Sequence, residues 1–462
     1  MAKHLSIFGT SSDAGKSTLA FALTYLLNKE GFSVAPFKAQ NVSNNSCVCD
    51  KGGEIAIPQY FAAESIGLET SALMNPILLK SGKASSASLI INGYPTGEQD
   101  VREYYSNIDT LKPIVKKAFE RLNEDYDLIV AEGAGSPVEL NLMEKDLSNI
   151  YVATEFDTKI ILVADIEKGG VFASIYGVYN LLPPQLKANV IGVIINKFRG
   201  DETLFDEGRV IIEKEFGLKV LGVIPYKPLN LGFEDVQSLM GYSQHKPKAK
   251  INVAIIKLPH ISNFTDFEPL INDEELLVSF IDSFSNLQGF DLLIIPGSKR
   301  TISDLRWLKE LGFTDALQSY CGKVIGICGG YEMMFETLFD EYGIEEAPLC
   351  TEAGLGYIHE ILSFKKDKML KKGSYEQFGL KLQGYEIHHG SAPLSYFQNG
   401  NIYGSFIHGL FDNDNFRRLI FCDISSQYKG YNFKEFKANK VASYCSFIKD
   451  NIDLDHIRGE LN

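Results

Sequence analysis

The sequence contains no apolar run long enough to cross a membrane, no block of basic residues and few cysteines. A membrane helix needs ~20 consecutive apolar residues, and no stretch of the 462-residue chain approaches that length. The first residues, M-A-K-H-L-S-I-F-G, lack the apolar segment and small-residue cleavage site of a secretory signal. We therefore expect a cytoplasmic protein with no membrane partner.

The charge and the cysteine content further limit the class of protein and its compartment. The formal net charge is −14, and no long run of lysine or arginine is present, which argues against nonspecific binding to nucleic acid. The seven cysteines are scattered and odd in number, as expected in a reducing compartment. The composition is 45% hydrophobic and 23% charged, which is ordinary for a globular protein, and the length fits about two to four domains.

Short runs that are apolar throughout alternate with helix-like segments along the chain. Such runs predict buried strands of a mostly parallel sheet that is covered by helices on both faces. In the first half we predict helices at 16–29 and 108–122, and strands at 5–8, 33–37, 128–131, 160–165, 190–196 and 220–225. In the second half we predict strands at 251–256, 291–296, 323–328 and 402–408.

A polar stretch at 241–250, G-Y-S-Q-H-K-P-K-A-K, separates the two sets of strands and predicts a linker. The predicted fold class is therefore α/β with two domains. We place the first domain at 1–240, the second at 251–445 and a C-terminal tail at 446–462.

The stretch I-F-G-T-S-S-D-A-G-K-S-T, residues 7–18, lies between the first predicted strand and helix. Backbone N–H groups and a helix N-terminus can hold phosphates at such a position. We expect Lys16 to reach phosphate oxygens, the Ser17 hydroxyl to bind Mg²⁺, and Asp13 to lie near the transferred phosphate or the metal. The full set of predicted ATP-binding residues in this loop is Gly9, Thr10, Asp13, Ala14, Gly15, Lys16, Ser17 and Thr18.

Further polar residues come directly after other predicted strands, at the end of the sheet where ligands bind. Glu132 is a predicted Mg²⁺ ligand, and Lys38 is expected to neutralise a second phosphate or a substrate carboxylate. Asn196 has the amide to read a base edge, and Asp165 is suited to the metal site or to substrate. For Asn196 and Asp165 a role as a cap or turn residue is equally open.

In the second half, K-V-I-G-I-C-G-G-Y-E-M-M (323–334) ends a strand at Cys328 and enters a helix through two glycines. A sharp turn of this kind exposes the side chain at its apex, and a helix N-terminus lowers the pKa of a thiol. The sequence therefore predicts Cys328 as a nucleophile. A thiol nucleophile needs a base, and His408 at the end of another predicted strand is the candidate.

These motifs resemble known families. Five residues separate Gly9 from Gly15, which is the loop spacing of dethiobiotin synthetase-like ATPases, and the Gly-x-Cys-Gly-Gly context resembles class I glutamine amidotransferases. Across the whole chain the motifs resemble, in order, the cobyric acid synthase family, which comprises glutamine-dependent amidases of cobalamin biosynthesis. The motifs that carry this resemblance are G-T-S-S-D-A-G-K-S (9–17), A-P-F-K-A-Q-N (35–41), G-G-E-I-A (52–56), M-N-P-I-L-L-K (74–80), E-G-A-G-S-P (132–137), D-I-E-K-G-G-V-F-A (165–173), N-K-F-R-G-D (196–201) and P-G-S-K-R-T-I-S-D-L-R-W-L (296–308).

The chain departs from this pattern at a few positions. Glu167, Lys168 and Lys197 stand where close relatives often have aspartate or arginine, and each keeps the charge although lysine and arginine differ in phosphate geometry. Leu410 stands where many amidotransferases have a glutamate that orients the histidine. A Cys–His dyad and a third partner from elsewhere, such as Glu386, are both open.

The resemblance implies a P-loop-type ATPase domain followed by a glutamine amidotransferase domain. It implies ATP, Mg²⁺ and glutamine as cofactor and co-substrates, and a corrinoid substrate, (adenosyl)cobyrinic acid a,c-diamide, amidated at carboxylates b, d, e and g. It also implies that Cys328 attacks glutamine, that His408 carries the proton, and that backbone N–H groups at Gly297 and Gly329 form the oxyanion hole.

Three alternatives stay open beside this interpretation. His388 and His389, in Y-E-I-H-H-G (385–390), are favoured as substrate-side or structural residues over catalytic ones. The neighbouring enzyme of the same architecture is cobyrinic acid a,c-diamide synthase. The third alternative is a non-enzymatic ATPase switch joined to an inert amidotransferase fold.

Overall fold

The computed structural model describes residues 3–81, 86–229, 231–232, 246–284 and 287–462. The chain divides into two compact units. Unit 1 comprises Met1–Ser43, Cys49–Asn230 and Ala438–Asn462, and unit 2 comprises Asn44–Val48 and Leu231–Lys437.

Unit 1 contains a six-stranded sheet in which every neighbouring pair of strands is parallel. Its strands are β1 Leu5–Gly9, β2 Val34–Phe37, β9 Leu128–Glu132, β10 Lys159–Asp165, β11 Val190–Phe198 and β12 Val220–Pro225. The spatial order is β12-β11-β10-β1-β9-β2. All five residues of β1 are buried, because an all-parallel sheet has helices on both faces.

The remaining strands of the first half are β3 Gln40–Val42, β4 Ser46–Val48, β5 Glu54–Ala56, β6 Ile77–Ser81, β7 Ser86–Ile91 and β8 Tyr94–Asp100. A second sheet of unit 1 has the order β3-β6-β7-β8. The helices of this half are α1 Lys16–Lys29, α2 Ile57–Ser65, α3 Val101–Ser106, α4 Lys112–Asp125, α5 Val152–Glu155, α6 Val171–Leu181, α7 Pro184–Lys187 and α8 Asp206–Glu215.

Unit 2 contains a six-stranded sheet of order β14-β13-β15-β16-β22-β21, which is parallel except for its edge strand β21. The strands of this sheet are β13 Ile251–Ile256, β14 Leu276–Ile281, β15 Leu292–Ile295, β16 Lys323–Ile327, β21 Tyr396–Asn399 and β22 Ile402–Ser405. The residues between β16 and β21 form a four-stranded sheet of order β18-β17-β19-β20. Its strands are β17 Phe335–Asp340, β18 Cys350–Ala353, β19 Ile358–Gln377 and β20 Leu380–Ser391.

The helices of the second half are α9 Glu268–Ile271, α10 Thr301–Glu310, α11 Phe313–Gln318, α12 Gly329–Glu332, α13 Asp414–Ile424, α14 Phe433–Asp450 and α15 Leu454–Leu461. Short turns of 3-10 helix occur at Ala72–Met74, Ile108–Thr110, Met143–Lys145, Glu202–Phe205, Phe264–Phe267, Leu287–Gly289 and Leu410–Asp412, and a π-helical turn occurs at Leu147–Tyr151. No helix of the described ranges is long and apolar enough to cross a membrane.

The predicted α/β class with two parallel-sheet units is confirmed, and α1 has the predicted bounds. The division of the chain differs from the predicted one at its end, because 438–462 belong to unit 1 and form helix rather than a tail. Half of the predicted linker, 241–245, lies outside the described residues. The rest packs on unit 2, where the Lys246 Nζ atom donates to the carbonyl oxygens of Ile271, Asp273 and Leu276.

Candidate functional site

The glycine-rich loop of unit 1 leaves the centre of the parallel sheet and leads into α1. Strand β1 lies between β9 and β10, so the loop that follows it is flanked by the ends of both. Gly15 caps α1 with a φ of 98° and Asp13 has a φ of 58°, both in the left-handed region that lets the loop curl around its own N–H groups. A Cβ atom at Gly9 would stand 2.8 Å from the Ser11 carbonyl oxygen, so only glycine fits there.

Several predicted loop residues make contacts that hold the loop in shape. The Thr10 N–H donates to the Val163 carbonyl (2.9 Å), and the buried Lys16 donates through Nζ to the Ser11 carbonyl (3.0 Å). The Asn196 Nδ2 atom donates to the Ala14 carbonyl (2.9 Å). Asn196 therefore touches the loop itself. Ala14 is buried, and Thr18 lies half-buried in the first turn of α1.

Glu132, at the end of β9, gathers three polar side chains in unit 1. Its Oε1 atom accepts from the Ser17 hydroxyl (2.6 Å) and the Lys38 ammonium (2.7 Å), and its Oε2 atom accepts from the Gln59 amide (3.0 Å). Glu132, Lys38 and Gln59 are all buried. The structure thus brings together Ser17, Lys38 and Glu132, which the sequence had placed on three different strand ends.

The oxygen atoms around Glu132 suit a small hard cation. Ser17 supplies a hydroxyl, Glu132 a carboxylate, and the buried Oε1 atom of Gln59 accepts no hydrogen bond from the described residues. No cluster of three or more His, Cys, Asp or Glu side chains that could hold a metal by itself occurs among those residues. Mg²⁺ in nucleotide sites needs only one or two carboxylates because the phosphates supply further oxygens. This set of donors therefore fits Mg²⁺ bound together with a nucleotide.

Two acidic residues considered for the same site have other contacts. The Asp165 carboxylate pairs with Lys197 (3.1 Å) and accepts the backbone N–H of Glu167 (2.8 Å), which is the turn role left open from sequence. Asp13 is exposed, with its carboxylate 3.9 Å from the Lys168 ammonium.

In unit 2, Cys328 sits in a strained turn between β16 and α12. Its φ of 50° and ψ of −111° are unusual for a residue with a side chain, and they match the predicted elbow. A Cβ atom at Gly330 would stand 2.0 Å from the Ile295 carbonyl, so the turn fits only where the next residues lack side chains. The Cys328 N–H donates to the carbonyl of Ser405, the last residue of the neighbouring strand β22 (2.8 Å).

His408 lies in the loop just after β22 and is held by an aspartate that the sequence did not single out. Its Nδ1 atom lies 2.6 Å from the Asp266 Oδ2 atom, and the Asp266 Oδ1 atom accepts the Gly409 N–H (2.7 Å). Both side chains are almost fully buried. Asp266 therefore fixes the imidazole with Nδ1 as the donor, which leaves Nε2 as the acceptor.

The resting thiol differs from the sequence prediction of a lowered pKa. Burial raises the pKa of Cys328 well above its usual range, and the negative charges of Glu332 and Asp266 raise it further. A hydrogen bond from the Gly329 N–H opposes the shift. The helix that was expected to favour the thiolate, α12, has only four residues, so its dipole is too weak to offset burial.

Both glycines predicted for the oxyanion hole border this site. Gly329 directly follows Cys328 in the chain, and a Cβ atom at Gly329 would stand 2.7 Å from the Ser298 nitrogen. A Cβ atom at Gly297 would stand 3.0 Å from the His408 Cε1 atom. Gly329 therefore adjoins the cysteine, and Gly297 lies beside the imidazole.

The other candidates near the site have separate partners. Glu386, suggested as a third member, has its Oε1 atom 3.7 Å from the His388 Nε2 atom, and the aspartate at 266 holds His408 instead. The His388 Nδ1 atom lies 2.8 Å from the Gly390 carbonyl oxygen, and its ring stacks on Phe406. His389 has its Nδ1 atom 2.9 Å from the Lys365 carbonyl oxygen. These contacts favour the structural reading of the two histidines.

Sequence reasoning missed Gln59 and Asp266. Asp266 lies in L-P-H-I-S-N-F-T-D-F (258–267), just after the first strand of unit 2, where polar side chains meet ligands in open α/β sheets. That position was the available signal. Gln59 had a weaker one, because it lies inside α2 a few residues after the motif at 52–56.

The two arrangements define a class: a nucleotide-binding unit joined to a glutamine amidotransferase unit. Residues 5–230 match the family described as the CobQ/CobB/MinD/ParA nucleotide binding domain. Residues 252–416 match the CobB/CobQ-like glutamine amidotransferase domain.

Full-length relatives narrow the class to one family. The chain is 54% identical over 455 residues to a cobyric acid synthase of Acinetobacter baylyi, covering 98% of each chain. It is 38% identical over 482 residues to that of Clostridium perfringens strain SM101, again covering 98% of each. It is 38% identical to that of Listeria monocytogenes serotype 4a, covering 99% of this chain and 96% of the relative. The chain belongs to the cobyric acid synthase family.

Proposed function

We propose that this chain uses ATP and glutamine to amidate the b, d, e and g carboxylates of (adenosyl)cobyrinic acid a,c-diamide through acyl phosphates. The observation that carries the proposal is that one chain of this family holds both the buried Glu132 centre and, in its other unit, the Cys328 elbow and the Asp266–His408 contact. Neither centre alone would suffice. A carboxylate must be activated before it reacts with ammonia, and ammonia must be released from glutamine.

Activation is assigned to unit 1. The oxygen of a carboxylate is a poor leaving group, whereas the phosphate of an acyl phosphate leaves readily. Phosphoryl transfer needs little covalent chemistry from the protein and depends on positioning and charge neutralisation. Lys16, Lys38 and the N–H groups at the start of α1 are suited to neutralise the phosphates and the acceptor carboxylate.

We assign Ser17, Glu132 and the Gln59 Oε1 atom to Mg²⁺, because these are hard oxygen donors in one place and no described residue donates a hydrogen bond to that Gln59 oxygen. When bound, Mg²⁺ neutralises phosphate charge and orients the nucleotide. Lys38 is the cation that the protein itself supplies beside Glu132. This lysine shares the Oε1 atom of Glu132 with Ser17, so it is held at the carboxylate until a competing anion arrives.

Nitrogen release is assigned to unit 2. The Cys328 thiol gives its proton to His408 Nε2 while the sulfur bonds to the side-chain amide carbon of glutamine. N–H groups at Gly297 and Gly329 are suited to hold the oxygen that becomes negative. The imidazolium, stabilised by Asp266, then protonates the leaving nitrogen, and ammonia departs as the C–N bond breaks. Water attacks the thioester to release glutamate and restore the thiol.

The test is mass spectrometry of the a,c-diamide after incubation with the protein, ATP, Mg²⁺ and glutamine. We expect four successive mass steps, each replacing one acid by one amide. Amidation of cobyrinic acid alone, with the a,c-diamide unchanged, would instead identify a cobyrinic acid a,c-diamide synthase. Absence of product from either compound would indicate a non-enzymatic switch. We further propose a cytoplasmic location, on the grounds of composition.

A further inference from the structure

A second side chain contacts the His408 Nε2 atom, which the proposed reaction needs as a proton acceptor. Asn263 presents its Nδ2 atom 3.1 Å from the His408 Nε2 atom. Asp266 holds the Nδ1–H, so Nε2 carries the lone pair and the Asn263 amide donates to it. The same lone pair must accept the proton of the Cys328 thiol. In this arrangement the amide and the thiol proton compete for one atom.

The orientation of the Asn263 amide is set by a segment from far away in the sequence. The Asn263 Oδ1 atom accepts the Ser46 N–H (3.3 Å), which turns the Nδ2 atom toward His408. The Asn263 N–H in turn donates to the Asn45 Oδ1 atom (2.7 Å). All three residues are buried, so these hydrogen bonds are shielded from water.

The segment that makes these contacts occupies an unusual place along the chain. Residues Asn44–Val48 pack as part of unit 2, whereas the flanking segments Met1–Ser43 and Cys49–Asn230 belong to unit 1. The segment comes shortly after Lys38, one of the side chains that hold Glu132. Lys38 and Asn45 are therefore joined along the chain by a short covalent path.

We propose that Asn263 is a positioning residue that withholds His408 Nε2 until the segment 44–48 moves, which ties glutamine hydrolysis to loading of unit 1. This inference rests on the proposed function. When Asn45 and Ser46 shift, the Asn263 amide leaves Nε2. The thiol proton then transfers to Nε2, and the sulfur attacks glutamine as described above. This movement adds no chemical step, because it only removes a hydrogen-bond donor that competes with the thiol for Nε2.

The inference is tested with two variants in the full chain. Asn263→Gly removes the amide and tolerates the left-handed backbone at this position, where φ is 56°. Asn45→Ala removes the acceptor that holds the Asn263 N–H. Release of glutamate from glutamine is measured with and without ATP and the a,c-diamide. We expect the rate without ATP and corrinoid to rise about two- to tenfold in both variants, the range for loss of one hydrogen bond. The rate with both should stay within about twofold, so the stimulation ratio falls.

A matched control is Asn272→Ala, which removes an asparagine of the same unit whose amide donates to the Glu268 carbonyl (2.9 Å). This variant should keep the wild-type stimulation ratio. Ammonia-dependent amidation by every variant reports folding and the proposed function independently of the ratio. If amidation occurs but the wild type shows no stimulation, the inference fails while the proposed function stands.

Two further outcomes would overturn the inference. If Asn263→Gly lowers both glutamate-release rates equally, Asn263 supports the active imidazole instead of withholding it. If Asn263→Gly raises the rate without ATP but Asn45→Ala does not, the segment 44–48 does not set the amide. Should Asn263→Gly lose ammonia-dependent amidation through misfolding, Asn45→Ala decides alone.

Discussion

Both units bury a carboxylate among polar partners, but the partners of Glu132 differ in kind from those of Asp266. Glu132 is contacted by a lysine, a hydroxyl and an amide, which are also the groups that phosphates and Mg²⁺ bind. Asp266 is contacted by one imidazole and one backbone N–H, and both contacts fix geometry. The first set can exchange the carboxylate for a ligand, whereas the second holds in place the imidazole that the proposed function uses.

The two halves of the proposed reaction, phosphoryl transfer and glutamine hydrolysis, depend on different properties of the protein. Phosphoryl transfer depends on charges that follow the substrate into place. Thioester formation depends on a proton path whose atoms are aligned beforehand. Substitutions in unit 1 should therefore affect every nitrogen source, and substitutions in unit 2 should affect glutamine alone.

The largest loss of activity is expected for Cys328→Ser. Glutamine-dependent amidation should fall by about 10⁴-fold or more, because a serine hydroxyl is a far weaker nucleophile in the same place. Amidation with ammonium salts should persist, which high-performance liquid chromatography of the corrinoid products can follow. Cys321→Ser, at an exposed cysteine of the same unit, is the control and should behave as the wild type. Loss of both activities would remove the distinction between the two centres.

The next largest effect is expected for Lys16→Ala. Removal of the phosphate-neutralising ammonium should lower amidation by about 10³-fold with glutamine and with ammonia alike. Lys29→Ala, in the last turn of the same helix, is the matched control. Product formation from ammonia at the wild-type rate would show that Lys16 takes no part in activation.

A smaller loss is expected for Asp266→Asn. An asparagine amide can donate to Nδ1, which would move the imidazole proton to Nε2 and abolish its ability to accept the thiol proton. We expect glutamate release to fall by about 10²–10⁴-fold, with ammonia-dependent amidation unchanged. Glu386→Gln provides the comparison. If that variant loses more activity than Asp266→Asn, the third member has been misassigned.

The smallest effect concerns stability within unit 2. The Oε2 atom of Glu345 is enclosed, and burial followed by the nearby charge of Glu332 raises the pKa of Glu345 to about 8. The folded chain therefore binds more protons than the unfolded chain between the usual glutamate pKa, 4.5, and about 8. In this window the contribution of Glu345 to stability falls as pH rises.

Glu345→Gln should remove this dependence. Urea unfolding at pH 6 and pH 8 should show the wild type losing about 1 kcal/mol or more relative to the variant over that interval. Glu310→Gln, at an exposed position on α10, is the control and should track the wild type. A wild type that gains stability relative to Glu345→Gln over this interval would show that folding does not raise the pKa of Glu345.

The parallel sheets were predictable from sequence because their strands are apolar throughout. Helix α1 and strands β12 and β13 have the predicted bounds, and the others differ by a few residues at their ends. The long hairpin β19–β20 was not predicted. Its residues 365–372, K-K-D-K-M-L-K-K, are mostly charged, and one face of an antiparallel strand can remain in water without any apolar run.

In the candidate sites, too, some residues were predictable from the sequence and others were not. The loop at 9–18 and the elbow at Cys328 are contiguous motifs, so their residue types and spacing are visible in one stretch. The contacts of Asp266 with His408 and of Gln59 with Glu132 join residues 142 and 73 positions apart. Such contacts arise only when distant strands meet, and no local spacing encodes them.

The return of the last helices to unit 1 bears on how the chain folds as it is synthesised. Ile452 bridges to Gly222 in β12, and the Leu461 carbonyl accepts the Lys3 N–H (2.9 Å). Unit 1 therefore lacks its final packing partners until translation has passed through the whole of unit 2. The amidotransferase half can mature on the ribosome while the nucleotide-binding half waits, which reverses the usual N-terminus-first order.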